Sequence, residues 1–275
     1  IMLSPFLREL DENIYLGHNI SIQNHNYTGK ISIDVNNHLR YRGYEKLSLL
    51  INKIPYERSN INYYCKEDLP IPTNLKYKFI VGNFIDYLVA KILSVNFPNI
   101  VKKFDLNIYH IYPKFPENLY QNYKDKLNDW RNILDDIYYI STYKFKNESI
   151  IEEYKEILLS EECFNYYLKL EKSLIKFIND IKPSSINNHL YISYGLIRGE
   201  ADLLINNDHL IEIKTSQGEA CTFPNLCQVL LYGFLLKKKD INLKKISIYN
   251  SISGNLDTFD VSNFNFIEFK KKIYH

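Results

Sequence analysis

Gly199-Glu200-Ala201-Asp202-Leu203-Leu204-Ile205 and, after a short polar link, Leu210-Ile211-Glu212-Ile213-Lys214-Thr215-Ser216 form the stretch whose reading decides the fold. Charged and apolar residues alternate along both arms, which is the period of a strand with one buried face. Asn206-Asn207-Asp208 between the arms marks a turn, so the stretch reads as a β-hairpin. Charge repeated along a strand that is otherwise core-like is costly unless something uses it. A divalent metal and a phosphate would use the three carboxylates Glu200, Asp202 and Glu212 and the lysine Lys214.

The turn decides whether these side chains can meet. A two-residue turn at Asn207-Asp208 would pair Asn206 with His209 and set Asp202 opposite Ile213. A three-residue loop over Asn206–Asp208 pairs Ile205 with His209 and Asp202 with Glu212. The expectation is the odd loop or a compensating bulge, because Asn and Asp tolerate the left-handed backbone such loops need. Asp202 and Glu212 then offer hard oxygen ligands to one cation, with the Ile213 carbonyl within reach and His209 turned to the opposite face. Oxygen donors without imidazole or thiolate favour Mg2+ or Mn2+ over zinc. Lys214, two residues past Glu212, would hold an attacking water or stabilise charge developing on a phosphate. The same spacing also suits a solvated hairpin face carrying an i, i+2 charge pair.

Outward from the hairpin, a helix is expected over about 224–238, with Pro224 near its first turn and Lys237, Lys238 and Lys239 at its negative end. Gln228 and Tyr232 are four apart and share a face, which the 222–225 connection can return to the hairpin. Alone, that is a buried helix with one polar pair. Upstream, Phe79, Ile80, Phe84, Ile85, Leu88, Val89 and Ile92 give residues 76–93 a broad apolar helical face. Asp86 lies in that helix and needs a partner, either in a structural salt bridge or at the site.

Further strands are expected at 190–197, 244–249 and 256–261, and strand-like text at 30–35 and 100–112. Helical spacing runs over 44–53, 118–139 and 149–181, and a last helix follows Ser262 as its N-cap. The order implies an α/β fold, a central mixed β-sheet flanked by helices. The chain reads as a single domain over 1–275, with an N-terminal accessory region at 1–75 and a helical insertion at 116–182.

Gly199-x-x-Asp202 followed by Ile211-Glu212-Ile213-Lys214-Thr215-Ser216 resembles the core of the PD-(D/E)xK nuclease superfamily, particularly its RecB-like branch. Gln228 and Tyr232 match the Gln-x-x-x-Tyr signature that this branch carries on the next helix. Gly82-Asn83-Phe84-Ile85-Asp86 resembles the upstream slot, with Asp86 where RecB-like proteins usually have histidine. The resemblance covers roughly 76–93 and 190–261. It implies a restriction-endonuclease-like core and metal ligation by Asp86, Asp202, Glu212 and the Ile213 carbonyl. It also implies catalysis by Asp202, Glu212 and Lys214 with Gln228 and Tyr232 in support. The implied activity is Mg2+-dependent hydrolysis of phosphodiester bonds in DNA, by an exonuclease or endonuclease of repair, recombination or replication. The alternative is a catalytically inactive nuclease-fold protein that binds nucleic acid or a protein partner.

Bulk properties bound these readings. The 275 residues carry a formal charge of only +2, so any contact with DNA must come from a local patch. Lys237, Lys238, Lys239, Lys244 and Lys245 are the candidate patch, or else a solvated helix end. Abundant Ile, Asn, Lys and Tyr are what an AT-rich genome imposes, so most of the 24 tyrosines need no functional reason. Four scattered cysteines read as free thiols in a reducing, intracellular setting. None follows Gln228, so no iron–sulfur cluster is expected, and the dispersed histidines argue against zinc. No run of about eighteen apolar residues is seen, so no membrane partner is expected. The start at Ile1 reads as a fragment or a processed product, and Ile1–Leu10 has no signal-peptide pattern. Trp130 is expected to pack the helical block; a protein partner docking there would need an exposed apolar patch.

Overall fold

Asn206 and Asn207 both take the left-handed backbone (φ 53° and 58°), and the Asp208 N–H closes the turn on the Ile205 carbonyl at 3.0 Å. Ile205 therefore pairs with His209, Leu204 with Leu210 and Leu203 with Ile211, which is the register of the three-residue loop. The computed structural model describes residues 45–65, 69–71, 78–102, 123, 129–143, 148–194 and 197–274. The strand expected at 30–35, most of that at 100–112 and the start of the helix at 118–139 lie outside them.

The elements in chain order are α1 (Glu45–Ile51), β1 (Tyr56–Asn60), α2 (Lys78–Asn96), β2 (Val101–Lys102) and a 3-10 turn at Trp130–Ile133. The helical block continues with α3 (Leu134–Thr142), α4 (Glu148–Leu158) and α5 (Glu161–Ile181). Then come β3 (Ile186–Tyr194), β4 (Ile197–Ile205), β5 (His209–Lys214), α6 (Phe223–Lys237), β6 (Lys245–Asn250), β7 (Asn255–Asp260) and α7 (Phe266–Tyr274). The strands form one seven-stranded mixed sheet in the order β1-β7-β6-β5-β4-β3-β2. The pairs β5–β6 and β2–β3 are parallel and the rest antiparallel. The fold is thus α/β, with its sheet flanked by helices.

Two apolar cores lie on the two faces of the sheet. On one, α2 and the helical block pack with Ile186, Leu203, Ile205, Ile211 and Ile213; on the other, α6 and α7 pack with Ala201, Leu204, Leu210, Ile246 and Ile248. Gly233 on α6 lets α7 approach closely, since a Cβ there would stand 2.4 Å from the Phe266 ring. Gly254, at φ +76°, supplies the left-handed residue of the β6–β7 turn.

Several expectations are corrected. Residues 149–181 form two helices, because Ser160 adopts an extended backbone and its Oγ caps the Cys163 N–H. The last helix is capped by Asn265, whose Oδ1 accepts from the Glu268 N–H, rather than by Ser262. β3 begins at Ile186 rather than at residue 190. β1, from within the 1–75 region, joins the central sheet as its edge strand. By length and composition Phe79–Asn96 is apolar enough to cross a membrane (mean hydropathy 1.3), although Asn83, Asp86 and Lys91 interrupt it. In the fold it is the core helix, with Ile80, Phe84, Ile85, Leu88 and Ile92 fully buried. Trp130 is buried as expected, its indole N–H donating to Glu171 Oε1 at 2.9 Å.

Candidate active site

Beyond Leu203 and Ile211 the two arms of the hairpin part. β4 continues along β3 as far as the Tyr194–Ile197 pair, while β5 continues along β6 as far as Lys214–Asn250. The notch between them receives Asp202 from β4, Glu212 and Lys214 from β5, Asp86 from α2 and Gln228 from α6. The expected Asp202–Glu212 ladder pair is therefore open, although its register holds.

A distortion of the strands turns Asp202 into the notch. His189 on β3 has φ +46°, and the ladder between β3 and β4 omits the His189–Asp202 position while pairing its neighbours Leu190–Ala201 and Asn188–Leu203. On either side of that position the strands change faces. Asn188 donates to the Ala90 carbonyl on α2, whereas Leu190 packs with the α6 core; Leu203 packs with the α2 core, whereas Ala201 packs with the α6 core. The freed Asp202 carboxylate accepts the Ile213 N–H at 2.6 Å. In an extended strand the N–H and C=O of one residue point to the same side, so the Ile213 carbonyl shares the edge that faces Asp202.

Glu212 is the buried floor of the site, at 3 % relative exposure. Its Oε1 accepts from the Lys214 ammonium at 2.8 Å and from Gln228 Nε2 at 3.1 Å. Gln228 Oε1 accepts from the same ammonium at 3.3 Å, and Gln228 Nε2 also donates to the Tyr232 hydroxyl at 2.9 Å. The shared face of Gln228 and Tyr232 thus turns to the hairpin as their spacing required. Thr222 starts that helix, its hydroxyl accepting from the Asn225 N–H. His209 turns to the other face, 2.7 Å from Ser247 Oγ.

Charge makes the notch unusual. Burial raises the pKa of Asp86, Asp202 and Glu212 above the ordinary carboxylate range; Asp86 and Asp202 are raised further by Glu212, and Glu212 by Glu200. Burial alone would lower the Lys214 pKa, but Glu212, Asp202 and Asp86 together hold it above its ordinary value. The sequence marks Glu200 as one of the charges of the hairpin without giving it a separate role, and it does not mark His189. His189 Nδ1 lies 2.9 Å from Glu200 Oε1, and its ring stacks on Tyr87, the neighbour of Asp86, at 5.1 Å. A histidine in a left-handed strand position leaves no pattern that a sequence could reveal.

Two buried carboxylate oxygens of the notch, Asp86 Oδ1 and Glu212 Oε2, have no hydrogen-bond partner. With Asp202 and the Ile213 carbonyl they are the oxygens that could serve a hard cation, a chemistry that suits Mg2+ or Mn2+. While Oε1 of Glu212 keeps Lys214 and Gln228, Oε2 remains for a cation. Among the described residues, no three His, Cys, Asp or Glu side chains already stand close enough to cage an ion. The four cysteines are free, three of them buried and Cys221 partly so. Comparisons with protein-family models, curated proteins and solved structures found no match.

Proposed function

We propose that the chain is a metal-dependent nuclease with a PD-(D/E)xK core of the RecB-like kind, hydrolysing phosphodiester bonds in DNA. One observation carries the reading: Asp86, Asp202, Glu212, Lys214 and Gln228, from two helices and two strands, share one electrostatic cluster at the strand notch. Asp86, Asp202, Glu212 and the Ile213 carbonyl would hold Mg2+ or Mn2+, which supplies Lewis-acid activation of water and phosphate when bound.

The chain's own groups supply the rest. Lys214 presents a positive ammonium beside Glu212, where it can orient the attacking water or neutralise charge gathering on the phosphoryl oxygens. Gln228 bridges Lys214, Glu212 and Tyr232 and so fixes the ammonium without adding charge. Free thiols accord with an intracellular setting.

The deciding experiment incubates the purified chain with linear and circular DNA, single- and double-stranded, with and without Mg2+. Cleavage should require the cation, and Lys214→Ala should reduce it by at least roughly 100-fold with the circular dichroism spectrum unchanged. Robust cleavage by that variant would refute the role of Lys214. The Lys214–Glu212 ion pair, which engages one oxygen of a would-be metal ligand, is what favours the second reading, a fold that binds nucleic acid without cutting it. That reading predicts oligonucleotide binding with neither cleavage nor a metal-induced thermal shift.

A further inference from the structure

His189 occupies a backbone position that a glycine would hold at less cost. Its φ of +46° is left-handed, where the Cβ of an L-residue crowds the following carbonyl. Such strain persists in a fold only where the surroundings over-determine it. The chain nevertheless keeps an imidazole there and buries it, with only 7 % of its side chain exposed. The ring therefore has a role that a bare backbone would not fill.

Nδ1 of the ring lies 2.9 Å from Glu200 Oε1 on β4. The ring also stacks on Tyr87, with planes 20° apart, and hydrogen-bonds the backbone of Asp86. One residue thus joins three elements: α2 at Asp86 and Tyr87, β3 through its own backbone, and β4 at Glu200. Beside it, Asn188 donates to the Ala90 carbonyl at 3.1 Å and to Ser94 Oγ at 3.3 Å, which binds the same stretch of β3 to α2 one turn farther along. Two acids of the notch feel these constraints. Asp86 lies on the fastened turn of α2, and Asp202 is the residue that the omitted ladder pair sets free. Glu212 is held from elsewhere, by Lys214 and Gln228. Acids from different elements serve one cation well only when residues behind them fix where they point.

We propose that His189 is the positioning residue of the notch, its left-handed backbone turning Asp202 inward and its ring fastening Asp86 of α2 to β4, so that both acids face one cation. The inference rests on the nuclease reading and adds to it the residue on which the metal site depends. The imidazole acts from behind the acids and is not itself a ligand.

The test uses the full chain and separates backbone from ring. His189→Gly keeps the left-handed backbone and loses the ring, whereas His189→Ala loses the ring and strains the backbone as well. In chelator, hydrogen exchange at the Ile213 amide, read by NMR, reports whether Asp202 is turned inward, since the Asp202 carboxylate accepts that N–H at 2.6 Å. Exchange should be roughly 5- to 30-fold faster in His189→Ala than in His189→Gly. Calorimetric titration with Mn2+ reads the ring, and His189→Gly should weaken binding roughly 10- to 100-fold. In an Asp86→Asn background the same substitution should cost at most about 2-fold more, because its path through Asp86 is already broken. A general loss of structure would cost as much in either background. Equal exchange in the two variants, unchanged Mn2+ affinity in His189→Gly, or an equal loss in the Asp86→Asn background overturns the proposal. A wild-type chain that takes no Mn2+ overturns the nuclease reading instead, and the exchange comparison, which needs no metal, still decides whether His189 places Asp202.

Discussion

Glu212 and Asp257 are both buried carboxylates, each with one oxygen that has no partner, and they differ in the charge around them. On β7, Asp257 Oδ1 accepts from the Tyr56 hydroxyl and from Arg58 Nε, each at 2.6 Å. Arg58 also reaches Glu219 at 2.7 Å, and Glu219 is half exposed. There one guanidinium faces one buried acid, and solvent screens the other. At the notch a single lysine faces Glu212, Asp202 and Asp86 at once. A partnerless oxygen is thus common to a structural pair and to a candidate site; what separates them is an excess of buried carboxyl groups over counter-charges. Such an excess is expensive in a fold unless a cation relieves it.

The largest expected effect breaks the comparison if it fails. Titrating chelator-stripped protein with Mn2+ or Mg2+ should raise its unfolding free energy by about 2.7 kcal/mol at a hundred times the dissociation constant. Asp202→Asn should lose that gain and Asp257→Asn should keep it, both read as the shift in thermal midpoint with added metal. If Asp257→Asn alone removed the shift, the metal would belong on β7 and the notch would be the structural pair.

Next in size is a difference in sign. Removing Arg58 leaves Asp257 buried with only Tyr56, so Arg58→Met should destabilise by about 2 kcal/mol, below the range for fully buried pairs because Arg58 is itself partly exposed. Neutralising an acid of the notch should do the opposite. Asp86→Asn relieves repulsion from Glu212 and should gain about 1 kcal/mol without metal, at the expense of metal affinity. Urea midpoints at constant slope measure both. A loss of stability in Asp86→Asn would mean that its burial is compensated after all.

The two clusters were not equally legible. Glu212 and Lys214 sit on a strand whose alternation is regular, so period, turn length and spacing led to them, and Gln228 followed from helix geometry. Asp257 gave no such cue, because its partners Tyr56 and Arg58 are some two hundred residues away on a strand with no apolar alternation. β1 is fully exposed along its length and owes its place to pairing with β7, a tertiary cause that local text does not carry. Parity correctly gave the register of the hairpin but not the change of face at His189 and Asp202, since one left-handed residue reverses the pattern without altering the count. The break at Ser160 rests on one capping hydroxyl inside a charged run whose helical spacing continues on either side, so the spacing alone does not show it.

The smallest effect is a slope, and β5 carries both of its signs. Asp86, Asp202 and Glu212 have folded-state pKa values above the ordinary 3.8 and 4.5. Between those values and the raised ones the native protein binds more protons than the unfolded chain, so stability falls as pH rises through that window. His209 works against this. Burial first, and then Lys245, pushes its pKa down from 6.5 to about 4, so the native state binds fewer protons in that interval and stability falls as pH drops through it. Over the shared interval the two slopes partly cancel in the wild-type protein. Glu212→Gln removes an acid of the first kind and should tilt the profile of urea midpoint against pH upward above the ordinary carboxylate value of 4.5, by at most about 1.4 kcal/mol per pH unit. His209→Gln should tilt it downward between about pH 4 and 6.5. Saturating Mg2+ should act as Glu212→Gln does, because a bound cation displaces the protons that the notch otherwise prefers. If Mg2+ left the slope of the wild-type profile unchanged, the excess charge would not be what binds the metal, and the contrast with Asp257 would lose its functional meaning.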